Sequence, residues 1–163
     1  MTDINSYVEY FHTLAIEHKE IEDFYMMDIN EPLEALRSNI IYPALILTSL
    51  SGNFEASNLD NILDLINGGF LIIGHLNQID DFSGELQLLS NMKHIGTDII
   101  ARMLHDYMKC EPLALKAIPG FNINSVSYEM LGPVFDNDYG LMYSFSLQDC
   151  LDLDYNPSQW EKS

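Results

Sequence analysis

The sequence predicts an α+β domain: a mainly antiparallel sheet of about four strands, with an N-terminal helix and one long central helix packed on it. Three stretches carry that prediction. From Ser83 to about Lys109, the residues Leu89, Met92, Gly96, Ile99, Ile100, Met103, Leu104 and Tyr107 gather on one side of a helix. From Leu141 the chain alternates: Leu141, Tyr143, Phe145 and Leu147 share one side, and Ser144, Ser146 and Gln148 the other, as in a strand with one buried face. "FLIIGHL", from Phe70 to Leu76, is a continuous apolar run of strand length between Gly68-Gly69 and "NQIDD". Strands segregated from one long helix place the helices over a common sheet.

In chain order, Tyr7, Phe11, Leu14, His18, Ile21 and Tyr25 recur at helical spacing, which predicts an amphipathic helix from Asp3 to about Met26. After Pro32, "LEALRSNI" adds a short helical turn, and the β-branched "IIYPALILTSL" predicts a strand near Ile41 to Leu50. "SGNFEASN" reads as turn-rich. Residues 57–67 are open to two readings: a short helix capped by Ser57 or Asn58, or an extended arm running into the next strand, which is the one favoured. The long helix begins where Ser83 can cap and Phe82 can staple. Gly96 lies on its apolar side, where a missing side chain lets the sheet approach closely. Pro112 ends the helical region, and Pro119-Gly120 makes a turn. "INSVSYEML" is then a half-buried strand with Val126, Tyr128 and Met130 inward, joined to the last strand through a tip at Asp136, Asn137, Asp138 and Gly140. The whole chain, 1–163, reads as a single domain, with 151–163 as a C-terminal tail.

The composition limits the function. The charge is −18, from 25 Asp and Glu against 7 Lys and Arg, so the protein's field repels nucleic-acid phosphates and anionic membranes. Direct DNA binding is not expected. Two cysteines, Cys110 and Cys150, allow at most one bridge. The start "MTDINSYVEYFH" lacks the basic and apolar regions of a secretion signal, and no uncharged run is long enough to span a bilayer. The expectation is a soluble protein made in a reducing compartment.

Motifs for chemistry are sparse. His12 and His18 fall on different sides of the first helix, and His18 sits among its apolar residues as a core or interface histidine. His94, Asp98 and His105 share a face of the long helix, but the two histidines are about three turns apart, too far for one ion. His94 and Asp98 read as a surface ion pair. Asp80-Asp81 and the pair Asp136 and Asp138 flank turns, where Asp serves the backbone more often than catalysis. Cys110 and Cys150 lack a CxxC spacing and read as buried thiols. Gly68, Gly69 and Gly74 form no phosphate-binding pattern. No catalytic, cofactor-binding or metal-binding residue is predicted.

The order of elements resembles the tail terminator proteins of tailed bacteriophages, also called tail completion or head–tail joining proteins. The pieces that carry the resemblance are "YPALIL", "GGFLIIGHL", "SGELQLLSNMKHIGTDIIARMLHDYMK" and "SYEMLGPVFDNDYGLMYSFSL". In that family an N-terminal helix leads into a proline-containing strand, a hairpin, a long helix and a final hairpin. The resemblance implies a non-catalytic virion protein that forms a homo-oligomeric ring, commonly a hexamer. Such a ring caps the tail tube and joins it to the head through the neck or head-completion proteins, and DNA passes through it without specific binding. It would be assembled in the host bacterial cytoplasm. The "EASNLDNILDLINGG" connection and the "DLDYNPSQW" tail depart from the family's pattern, and the residues that make the ring's contacts stay unassigned. Two rivals come from other classes: an acidic inhibitor or immunity-type protein that binds a basic partner, and a small hydrolase that uses the acidic loops.

Overall fold

A computed structural model describes residues 2–27, 40–58, 60–78, 80–134 and 137–160. Within them lie helices α1 (Ile4–Glu17), α2 (Phe82–Met108) and α3 (Pro112–Ala117). The strands are β1 (Asp23–Met26), β2 (Ala44–Leu47), β3 (Ser51–Asn58), β4 (Asn61–His75), β5 (Ser127–Leu131) and β6 (Asp138–Leu151). The architecture is mixed α and β, with six strands in one sheet rather than about four.

The backbone of β4 organises the sheet. One edge of this 15-residue strand pairs with β6 along nearly its whole length, from Ile62↔Leu151 to His75↔Asp138. Its other edge is shared, Phe70–Ile73 with β2 and Asn61–Asn67 with β3. One of the two additional strands follows from this. A strand that long leaves backbone donors and acceptors along both edges, and buried ones must be paired. "SGNFEASN" therefore forms β3 despite its turn-forming composition, and it bears the cost easily because all eight of its residues are exposed. Within 57–67, residues 57–58 end β3 and 61–67 open β4, so these described residues take the extended reading rather than the helical one.

The other additional strand corrects the first helix. Helix α1 is capped by Asp3, whose carboxylate accepts from the Asn5 and Ser6 amides, and it stops at Glu17 rather than continuing to Met26. Residues 23–26 instead form β1, in parallel with β2. The spacing of Ile21 and Tyr25 matches a helical turn, but Phe24 packs into the main core and Tyr25 into a cluster on the opposite face of the sheet, the alternation of a strand. The helical turn expected at "LEALRSNI" lies outside the described residues except for Ile40.

Helix α2 matches its predicted span within a residue at each end. Its cap is Asp81, which accepts from the Gly84 amide, not Ser83, and Phe82 is exposed rather than a staple. The main core fills the space between helices and sheet: Ile99, Ile100 and Met103 from α2 and Tyr143, Phe145 and Leu147 from β6 are buried in one cluster, with Tyr7, Phe11 and Phe70. A Cβ on Gly96 would fall inside the Tyr143 ring, so the close approach expected there is realised. Helix α3, with Pro112 in its first turn, was not anticipated; it buries Ala114 and Ala117. The Pro119-Gly120 turn is present, with Gly120 at φ +59°.

The final hairpin is half as predicted. Leu141, Tyr143, Phe145 and Leu147 are buried, but Ile123–Ser125 form a 3-10 turn, and Tyr128 and Met130 are exposed rather than inward. The reason is position: β5 is the last strand of the sheet, and α2 stands over it across an open groove rather than packing on it. No helix among the described residues is long and apolar enough to cross a membrane.

Candidate functional site

The most concentrated polar chemistry lies where β4 ends and β6 begins. Asp138 is only 2 % exposed, and its two carboxylate oxygens are both engaged. One accepts from the Tyr42 hydroxyl at 2.6 Å; the other lies 2.6 Å from His75 Nδ1. The Tyr42 and His75 rings stack at 5.5 Å, and the Val134 amide donates to the Asp138 carbonyl. The cluster thus ties together the segment before β2, the end of β4 and the start of β6. Burial of a carboxylate is tolerated because both oxygens find donors.

A histidine whose Nδ1 is held by a buried carboxylate has its other nitrogen free to act as a base, and the His75 side chain is 42 % exposed. The groove on the same face of the sheet does not have His75 among the described residues that line it. It encloses about 680 Å3, with Ser49, Ser127, Ser144 and Ser146 on its polar side and Leu71 and Met142 on its apolar side. None of the described residues that line it is acidic, basic or histidine. The groove has the size of a ligand site, but it is an open surface lined by hydroxyl and apolar groups.

A second buried carboxylate joins the two longer helices. Asp106 accepts from the Tyr10 hydroxyl at 3.0 Å and from Arg102 Nε at 2.7 Å and 2.9 Å, while Arg102 also reaches Glu17 at 2.8 Å. Burial, reinforced by the Asp106 charge, holds the Tyr10 phenol well above its ordinary pKa. The Tyr7 hydroxyl is buried against Gly68 with no hydrogen-bond partner among the described residues; it points toward the Gly69 backbone without hydrogen-bond geometry, and burial raises its pKa too.

The residues singled out from sequence do not converge. His12 packs its ring on Phe24 at 5.1 Å. His18 is half-buried, and it is His18, not His94, that meets Asp98, at 3.4 Å. His94 and His105 are exposed on α2. Asp81 caps α2, Asp80 takes a left-handed turn at φ 62°, and Asp136 lies outside the described residues. Cys110 and Cys150 are both free and exposed, which corrects the expectation of buried thiols: Cys110 occupies a left-handed position just past α2, and Cys150 points to solvent near the end of β6. Sequence reasoning passed over His75, Tyr42 and Asp106. One signal was available for His75: the antiparallel register that sets Phe70 opposite Tyr143 also sets His75 opposite Asp138.

No protein-family model matches the chain, and no curated protein matches its sequence.

Proposed function

We propose that this chain is a non-catalytic structural subunit that assembles with copies of itself into a ring, of the kind that caps a bacteriophage tail tube and joins it to the head. The observation that carries the proposal is the outlying arm made by β3 and the first half of β4. All eight β3 residues are exposed, Phe54 among them at 64 %, on a strand whose backbone edge has no further partner among the described residues. Exposed strand edges with apolar side chains are liabilities in a monomer and contact surfaces in an assembly. The order of helix, strands, long helix and terminal hairpin supports the same reading, and the hexameric count comes from the family resemblance. In this role the protein resides in the virion after assembly in the bacterial cytoplasm, and its partners are the tail tube and the neck or head-completion proteins.

The rival, an acidic inhibitor of a basic partner, draws on the charge distribution. Of the seven Lys and Arg, Arg37 and Lys162 lie outside the described residues. The other five, Lys19, Lys93, Arg102, Lys109 and Lys116, all belong to the helices or their flanks, so the described strands carry acids alone. The two readings separate on assembly. Light scattering and electron microscopy of the purified chain, with and without a tail-tube preparation, should show closed rings; a monomer under every condition would overturn the ring.

A further inference from the structure

The open edge of β5 is bordered by an apolar groove that none of the described residues fills. It encloses about 580 Å3 between α2 and β5, with Leu86 and Leu89 on one wall and Tyr128 and Met130 on the other, and Lys93 set 4.8 Å above the Tyr128 ring. Leu86, Tyr128 and Met130 are 51 %, 52 % and 69 % exposed. At the opposite end of the sheet, β6 runs out into a tail in which Leu151, Leu153 and Tyr155 alternate with Asp152, Asp154 and Asn156. That is the pattern of a strand with one apolar face, yet 152–156 pair with nothing among the described residues, and Leu153 and Tyr155 are 55 % and 71 % exposed.

We propose that the C-terminal tail of one copy adds as a strand to the β5 edge of the next copy, with Leu153 and Tyr155 seated in the groove under α2. The proposal rests on the self-assembling reading above and names the contact that reading leaves unassigned. Geometry excludes the same contact within one chain. The groove lies level with Leu141, ten residues back along β6 from Leu151, or about 33 Å at the rise of a strand. Leu153 and Tyr155 are two and four residues past Leu151, so they reach at most about 14 Å from it. Only another copy can supply them.

The fit is specific in length and pattern. Segment 152–156 has as many residues as β5, so the unpaired backbone groups of the edge are met in full. Alternation directs Leu153 and Tyr155 to the helix side, where Tyr128 and Met130 also point. Lys93, whose ammonium lies over the Tyr128 ring, can also donate to the Tyr155 hydroxyl. On the outer side of the sheet, Asp152 and Asp154 come near Glu129, a repulsion that salt screens. Because the tail and the groove lie at different places on the subunit, the contact is head-to-tail and closes into a ring when its rotation permits.

Two variants test this. Leu153→Asp with Tyr155→Asp spoils the tail, and Leu86→Asp with Met130→Asp spoils the groove; all four positions are exposed, and thermal melting checks that both proteins stay folded. The expected result is wild-type oligomers, a monomer for each variant alone, and a doubling of mass to a dimer, with nothing larger, when the two are mixed one to one. A second readout is Trp160, the only tryptophan, 72 % exposed at the end of the tail: its emission should shift to the blue as wild-type concentration rises. Oligomers that persist in both variants, a mixture that stays monomeric, or unchanged Trp160 emission would overturn the tail contact and leave the ring standing. A wild type that never assembles would bring down the ring itself.

Discussion

Asp138 is held by two donors, and removing its charge should be felt in stability. Asp138→Asn keeps the shape but cannot serve both the Tyr42 hydroxyl and the His75 ring as the carboxylate does. Hydrogen bonds to a charged group contribute about 1.5–3 kcal/mol, so urea unfolding should show a loss of that order; a change below about 0.5 kcal/mol would count against the clamp. The tyrosines act at the other end of the pH scale. Burial raises the pKa of Tyr7, Tyr10 and Tyr143, and burial with the Asp23 hydrogen bond pushes Tyr25 up to about 12. In the unfolded chain these phenols lose their protons near pH 10, while in the folded protein they keep them. Above about pH 10 the unfolded state therefore binds fewer protons, and the stability that is complete below that pH falls as the pH rises. Tyr7→Phe should make the decline shallower by one group, yet change neutral stability by no more than about 1 kcal/mol, since the hydroxyl it removes has no partner among the described residues. Urea titrations at pH 7 and pH 10.5 check both halves; an unchanged alkaline decline would contradict the assignment. None of this was legible residue by residue. Asp138 read as one of several turn acids, and its burial exists only once β4 and β6 are in register.

Elements were legible in proportion to their length and to the cover above them. Helix α2 runs 27 residues, enough turns for its apolar face to stand out, and it packs where that face predicts. Ile100→Ala, which opens a cavity between α2 and β6, should cost about 2–5 kcal/mol in denaturant unfolding, and a change within experimental scatter would remove this packing arrangement. The short elements were misread for physical reasons. β1 has four residues, too few for alternation to outweigh the helical spacing that continues from α1. β3 consists of turn-forming residues and is a strand only because the edge of β4 requires a partner, a tertiary demand with no local signal. α3 has six residues and begins with a proline, which serves as well to open a helix as to end one. β5 was read correctly as a strand but given the wrong burial, because alternation reports which residues share a side and not whether anything covers it. The proposed contact site was missed along with it.

At the scale of the whole molecule, charge and contact surface oppose each other. Each chain carries −18, and six copies in a ring carry six times that. Closure must bring like charges together. Their reach is about 30 Å at 0.01 M salt and about 8 Å at 0.15 M, so added salt removes most of the repulsion between neighbouring subunits and leaves apolar contacts little changed. The expected outcome is a smaller species at low ionic strength and a larger closed oligomer at moderate or high ionic strength, or at low salt when a tail tube provides a template. An acidic inhibitor bound to a basic partner behaves in the opposite sense, because salt weakens attraction between unlike charges. The sign of the salt dependence therefore discriminates between the two readings even before the partner is known. Light scattering over a salt series reads it directly: mass rising with salt supports the ring, whereas a purified chain that stays monomeric throughout, but holds a basic protein that salt releases, would replace the ring with the inhibitor.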